Sequence, residues 1–250
     1  MSGGNTYRTK PISDLQLTVS ADANEKGNVV RQSSKLKWVG LFAVGFAYVE
    51  SAVVVYLRRL YGISNLVLDI PPFDPTVALI ELGREIATLI ILLSVGWVAG
   101  RTRQARLGFA FFAFGIWDIF YYIWLKLFID WPASPLTPDI LFLVPIPWWG
   151  PVIGPVLIAG LMVISGARAV FLDDEDQRIR FSVMQWMALA AGMLIVLYTF
   201  MADSLAALPA SPEVLSQLRP AVFNWPVYMT GLVLMAWPVF RTSFPRNRVG

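Results

Sequence analysis

The chain has 250 residues, 56% of them apolar and 15% charged, with a formal charge of +3 and neither cysteine nor histidine. That balance excludes an ordinary soluble domain. Without cysteine there are no disulfides, thiolate nucleophiles or zinc-thiolate sites; without histidine the usual haem and copper ligand and the Ser–His–Asp and Cys–His hydrolases are gone, so no cofactor and no metal site are expected.

Residues 1–35 read as a flexible cytoplasmic tail, with glycine, serine and asparagine interspersed and little apolar periodicity. Six apolar windows follow, at about 38–57, 76–99, 107–129, 148–167, 181–201 and 221–240. Each is close to the ~20 residues that cross a ~30 Å hydrocarbon core. The expected fold is all-α, an integral membrane bundle of six transmembrane helices over 36–241, followed by a short basic cytoplasmic tail at 242–250. The long polar stretch ahead of the first window is the wrong layout for a cleaved signal peptide.

Basic residues set the orientation. Lys35 and Lys37 precede window one, and Arg101, Arg103 and Arg106 separate windows two and three. Arg168, Arg178 and Arg180 follow window four, and Arg241, Arg246 and Arg248 follow window six. The positive-inside rule then puts both termini in the cytoplasm, as in a multi-pass protein of the bacterial cytoplasmic (inner) membrane. Arg58 and Arg59 are discordant and leave a seven-span or re-entrant layout open. Since the positive charge tracks topology, the expected partners are the lipid bilayer and, in one reading, another membrane protein, with no nucleic acid.

Two outer connections stand out, NLVLDIPPFDP at 65–75 and IDWPASPLTPDILFLVPIPWWGPVIGP at 129–155. Both are rich in proline yet apolar. Non-helical apolar backbone is tolerated near a membrane only where protein buries it or a wet cavity hydrates it. The 130–150 loop is therefore expected to be interfacial or re-entrant, either as an aromatic belt or as a lid over an outward-facing pocket. The acidic run at 173–176 is expected to be a solvated connection.

The second window carries Glu81, Arg84 and Glu85 at i, i+3 and i+4, on one helix face. Asp118, Tyr121 and Tyr122 repeat that spacing in window three, and Glu50 lies in window one. At ~1.5 Å per residue these groups fall roughly 8–16 Å below the outer surface, in one leaflet. Lys126 and Asp203 fall at the outer rim. Four embedded acids face one deep base, Arg84, so a shared proton or a bound cation is expected, with Glu50 and Asp118 lacking a basic neighbour on their own helices. Glu50, Glu81, Arg84, Glu85, Asp118, Tyr121 and Tyr122 are the candidate substrate or ion pathway, although buried Arg–Glu networks also serve packing alone.

These parts suit proton- or cation-linked transport or permeation of a small solute. They also suit an intramembrane acid/base enzyme on an isoprenoid or lipid, or an accessory subunit or assembly factor of a larger membrane complex. WDIFYY at 117–122 resembles the Trp-acid-aromatic element of small integral-membrane terpene cyclases over those six residues, with no second acidic motif to match. The resemblance implies protonation-initiated isoprenoid chemistry at Asp118. A magnesium-dependent lipid-phosphate enzyme is disfavoured, because no paired-acid run occurs at depth.

Overall fold

The computed structural model describes residues 31–63, 74–142, 146–211 and 222–241. Among them the chain forms a 3-10 turn, Gln32–Lys35, and six helices: α1 Leu36–Leu60, α2 Pro75–Ala99, α3 Arg103–Ile129, α4 Ile153–Asp174, α5 Val183–Ala206 and α6 Trp225–Phe240. Between α3 and α4 lies an antiparallel hairpin, β1 Pro138–Phe142 and β2 Trp148–Pro151. The tails at 1–30 and 242–250 and the outer segment 64–73 lie outside the described residues.

Among the described residues, four helices are long and apolar enough to cross a membrane: Gln32–Leu60, which is α1 with its leading turn, then α3, α4 and α5. This is compatible with a membrane protein. Helix α2 also has the length, 25 residues, and carries the Glu81, Arg84 and Glu85 group. Helix α6 has only 16 residues, roughly 24 Å at ~1.5 Å per residue.

Local chemistry explains most helix boundaries. The Asp74 carboxylate accepts the amides of Thr76 and Val77, with Pro75 filling the first position of α2. Thr102 Oγ1 accepts from Ala105 N–H to start α3, and Asp130 ends it in the left-handed region at φ 52°. Ser182 and Gln185 form a reciprocal capping box on α5, and Asn224 caps α6. Gln185 also reaches across to the Arg241 carbonyl at 3.2 Å, whereas Thr230 bonds back within its own helix to Pro226 O at 2.9 Å.

The structure refines two expectations. The fourth apolar window begins at about 148 and overlaps the proline-rich loop; there Trp148–Pro151 pairs as a strand and helix begins only at Ile153. The prolines at 151 and 155 sit at this boundary, where each lacks the backbone donor that a continuing helix needs. The acidic run is not simply a solvated connection either. Asp173 and Asp174 close α4, and Asp173 is buried.

Helix α3 is the central element, packed against α1, α2 and α4. Its close packing on α4 needs Gly115, where an added Cβ would stand 2.4 Å from the Ala159 carbonyl oxygen. The main core joins Leu36, Val39, Ala43, Leu92, Ala105, Phe109, Ala113 and Val170. Helices α5 and α6 pack chiefly on each other, around Val196, Phe200 and Tyr228. Large apolar side chains such as Leu79, Ile90, Val98, Leu127, Met184 and Met187 face outward.

One end of the bundle is tightly bonded. Gln32, which the sequence places in the tail, sits here with its side chain donating to Asp173 at 2.7 Å and accepting from the Arg101 amide at 2.7 Å. Asp174 accepts the amides of Gln32 and Ser33, both at 2.8 Å, and Thr102 Oγ1 donates to Asp173 at 2.6 Å. Lys35 Nζ reaches the Ala99 carbonyl at 2.8 Å, and Arg168 reaches the Val239 carbonyl at 2.6 Å. The start of α1 and the end of α6 therefore share this end, where the basic residues also gather.

Candidate functional site

The site begins where α1 meets α2. Glu50 is 5% exposed and forms an ion pair with Arg84 while accepting the Thr88 hydroxyl at 2.8 Å. Arg84 also binds Glu81 at 2.8 Å, one turn back on its own helix. A single guanidinium thus bridges two carboxylates, one on each helix, the arrangement its forked donors favour. Glu50, which has no basic neighbour within a turn on its own helix, obtains one from α2.

Helix α3 supplies the facing wall. Ser51 Oγ donates to the Tyr121 carbonyl at 3.0 Å, fixing α1 to α3 at this level. Trp117 and Tyr121 stack at 6.2 Å between ring centroids, 29° from parallel. Asp118 lies between them in sequence, and its Oδ2 is buried without a hydrogen-bond partner among the described residues; the same is true of Trp117 Nε1. Burial of an unpaired polar atom is costly, so its recurrence beside one cavity calls for an explanation.

The hairpin brings in a residue that sequence reasoning missed. Asp139, 4% exposed on β1, accepts the Tyr122 hydroxyl at 3.1 Å. It pairs in register with Gly150 of β2, and Phe200 packs where a Gly150 side chain would begin. Burial pushes the Asp139 carboxyl up to about 6, while the nearby Arg58 charge, the Tyr122 hydroxyl and the Ile140 amide pull the other way. Arg58 itself is 8% exposed and lies over the Trp131 ring at 4.2 Å, a cation–π contact. The arginine that disagreed with the orientation rule is therefore part of the site. The signal available in the sequence was the lone acid within TPDILFLV.

These groups surround a cavity of about 190 Å³. Arg84, Glu85, Thr88, Asp118 and Asp139 form its polar side. Phe114, Trp117, Tyr121, Tyr122, Trp148 and Phe200 supply aromatic surface, and α4 adds Pro155, Ile158, Ala159 and Met162. Of the sequence candidates, Arg84, Glu85, Asp118, Tyr121 and Tyr122 line it together, while Glu50 and Glu81 join through Arg84 from behind. Leu141 and Trp148 add hairpin residues to its lining.

The two rim residues lie elsewhere. Lys126 makes an ion pair with Asp130 at 2.7 Å at the end of α3. Asp203, within the last turn of α5, lines a second cavity of about 240 Å³ with Trp149, Thr199 and Asn224. Among the described residues no group of three or more acids is placed to hold a metal ion. What the main cavity offers is carboxylates, an occupied guanidinium and aromatic faces, which suit proton exchange and cation recognition. No family model matches the chain, and neither a curated protein nor a solved structure matches it, so the reading of the site rests on these residues alone.

Proposed function

We propose that this is a six-span protein of the bacterial cytoplasmic membrane, N-in and C-in, whose cavity carries a small solute in step with a proton or a cation. The single observation behind this reading is that Arg84, Glu85 and Asp118, from two apolar helices, face one cavity with Asp139 of the covering hairpin. Ionisable groups at such depth are costly to bury and mark ion and solute paths. The Glu50–Arg84–Glu81 bridge stiffens one wall, and the hairpin is the natural cover on the outer side.

The test is flux into proteoliposomes under an imposed proton or cation gradient. Uptake that collapses in both Glu85→Gln and Asp118→Asn supports the proposal; absence of flux under every gradient overturns it.

A second reading is favoured by the Trp117–Tyr121 stack beside Asp118. There the carboxyl donates a proton to an isoprenoid double bond and the aromatic faces stabilise the resulting carbocation. Product formation from a supplied polyprenyl substrate, lost in Asp118→Asn, would select it over transport.

A further inference from the structure

We infer that the solute is a small organic cation, an amine or quaternary ammonium, whose charge lies against Asp118 and Asp139 and whose carbon groups lie against Trp117, Tyr121 and Trp148. This rests on the transport reading and adds the chemical class of the cargo.

Charge balance gives the first reason. The acids in and directly behind the cavity wall are Glu50, Glu81, Glu85, Asp118 and Asp139, against the bases Arg58 and Arg84. Arg84 is already bridged to Glu50 and Glu81, and Arg58 lies over Trp131. The wall therefore carries surplus negative charge that a positive guest offsets.

An independent observation comes from Asp118. The residue lines the cavity, and its enclosed Oδ2 takes no hydrogen bond from the described residues. An ammonium N–H or the polarised methyl group of a quaternary ammonium is the partner such an oxygen favours.

The remaining wall chooses between kinds of cation. Divalent metals take six or more oxygen ligands at roughly 2.0–2.6 Å, and no cluster of three acids among the described residues provides the start of such a shell. Aromatic faces beside carboxylates are instead the recognised cage for alkylated ammonium groups. Size agrees as well. A cavity of ~150 Å³ admits benzene, so about 190 Å³ holds a trimethylammonium group with a short arm.

The experiment is calorimetric titration of the detergent-purified full chain with choline and with 3,3-dimethyl-1-butanol, its neutral isostere. Choline is expected to bind at least tenfold more tightly than the alcohol. Asp118→Asn should abolish that preference, and Trp148→Leu should weaken choline at least threefold while leaving the alcohol within twofold. The Trp148 variant keeps every charge, so it tests the aromatic contribution even if Asp118→Asn folds poorly. Equal binding of the two probes, binding of neither, or binding of sodium in place of choline overturns the inference. Choline binding without choline flux overturns transport and leaves the ligand class standing; gradient-driven flux of another solute without choline binding does the reverse.

Discussion

Replacing Arg84 with methionine should destabilise the protein more than replacing both Arg84 and Glu50. In Arg84→Met the Glu50 side chain, 7% exposed, loses its counterion and keeps only the Thr88 hydroxyl, while Glu81, 17% exposed, also loses its partner. Breaking a buried pair from one side costs about 3–5 kcal/mol, because the remaining charge is stranded. Glu50→Gln alone should cost less, about 1.5 kcal/mol, since Arg84 keeps Glu81 and only a charge-assisted bond weakens. Independent effects would sum to about 5.5 kcal/mol, yet the double variant Glu50→Gln/Arg84→Met has no stranded Glu50 charge and should cost about 2–3 kcal/mol. The assay is reversible unfolding of the four proteins in mixed micelles at one pH. Additivity to within about 0.5 kcal/mol would mean that the pair does not act as a unit, and the account of this wall would be wrong.

Asp139 lies on the hairpin, outside the long apolar helices, and gives a pH test. Its carboxyl stands at about 6 in the fold against an ordinary 3.8. The folded state therefore holds the proton more tightly than the unfolded chain, and this contribution to stability is full below 3.8 and lost as pH rises through about 6. The loss amounts to about 3 kcal/mol at 1.36 kcal/mol per pH decade. Unfolding measured from pH 4 to 7.5 should show that slope in the wild type and not in Asp139→Asn; parallel curves would refute it. In Arg58→Met the same transition should move to higher pH, because the charge that opposes the effect of burial is gone. Gly115→Ala should cost about 1–3 kcal/mol, read as a fall in melting temperature, because its Cβ would meet the Ala159 carbonyl oxygen at 2.4 Å. Thr88→Val keeps the side-chain shape but removes the hydroxyl bonded to Glu50, and should cost about 1.5–3 kcal/mol in the same unfolding assay.

Periodicity and hydropathy located α1, α2, α3 and α5 closely, because a long apolar run flanked by Thr102 or Ser182 leaves little choice of backbone. The same method left the start of α4 open between the apolar window and the proline-rich loop. Trp148 and Trp149 are as apolar as any helical residue, and hydropathy is blind to whether a backbone amide pairs along the chain or across to β1. The grouping of Arg84, Glu85, Asp118, Tyr121 and Tyr122 was legible, since i, i+3, i+4 spacing fixes a helix face and lipid cannot solvate it. The identity of the helix across the cavity was not, because α4 contributes Ile158 and Met162, which carry no polar signal. Asp139 was missed for a related reason: depth estimates assume helical rise, and a strand folded back over the cavity has no place on that scale. Arg58 is explained by a tertiary contact, since it packs on Trp131 beside a buried carboxylate, and so its position is no guide to orientation.

The fastening around Gln32, Asp173 and Asp174 makes the molecule asymmetric as a machine. With the turn that leads into α1 stapled to the end of α4 by bonds of 2.7–2.8 Å, that extremity acts as an anchor. On the proposed transport reading, a guest admitted beneath the hairpin must still cross the bundle. On that reading, onward passage would require the α5–α6 pair, which packs chiefly on itself, to rock away from the other four helices, so a cross-link joining those two groups should leave loading intact and arrest discharge.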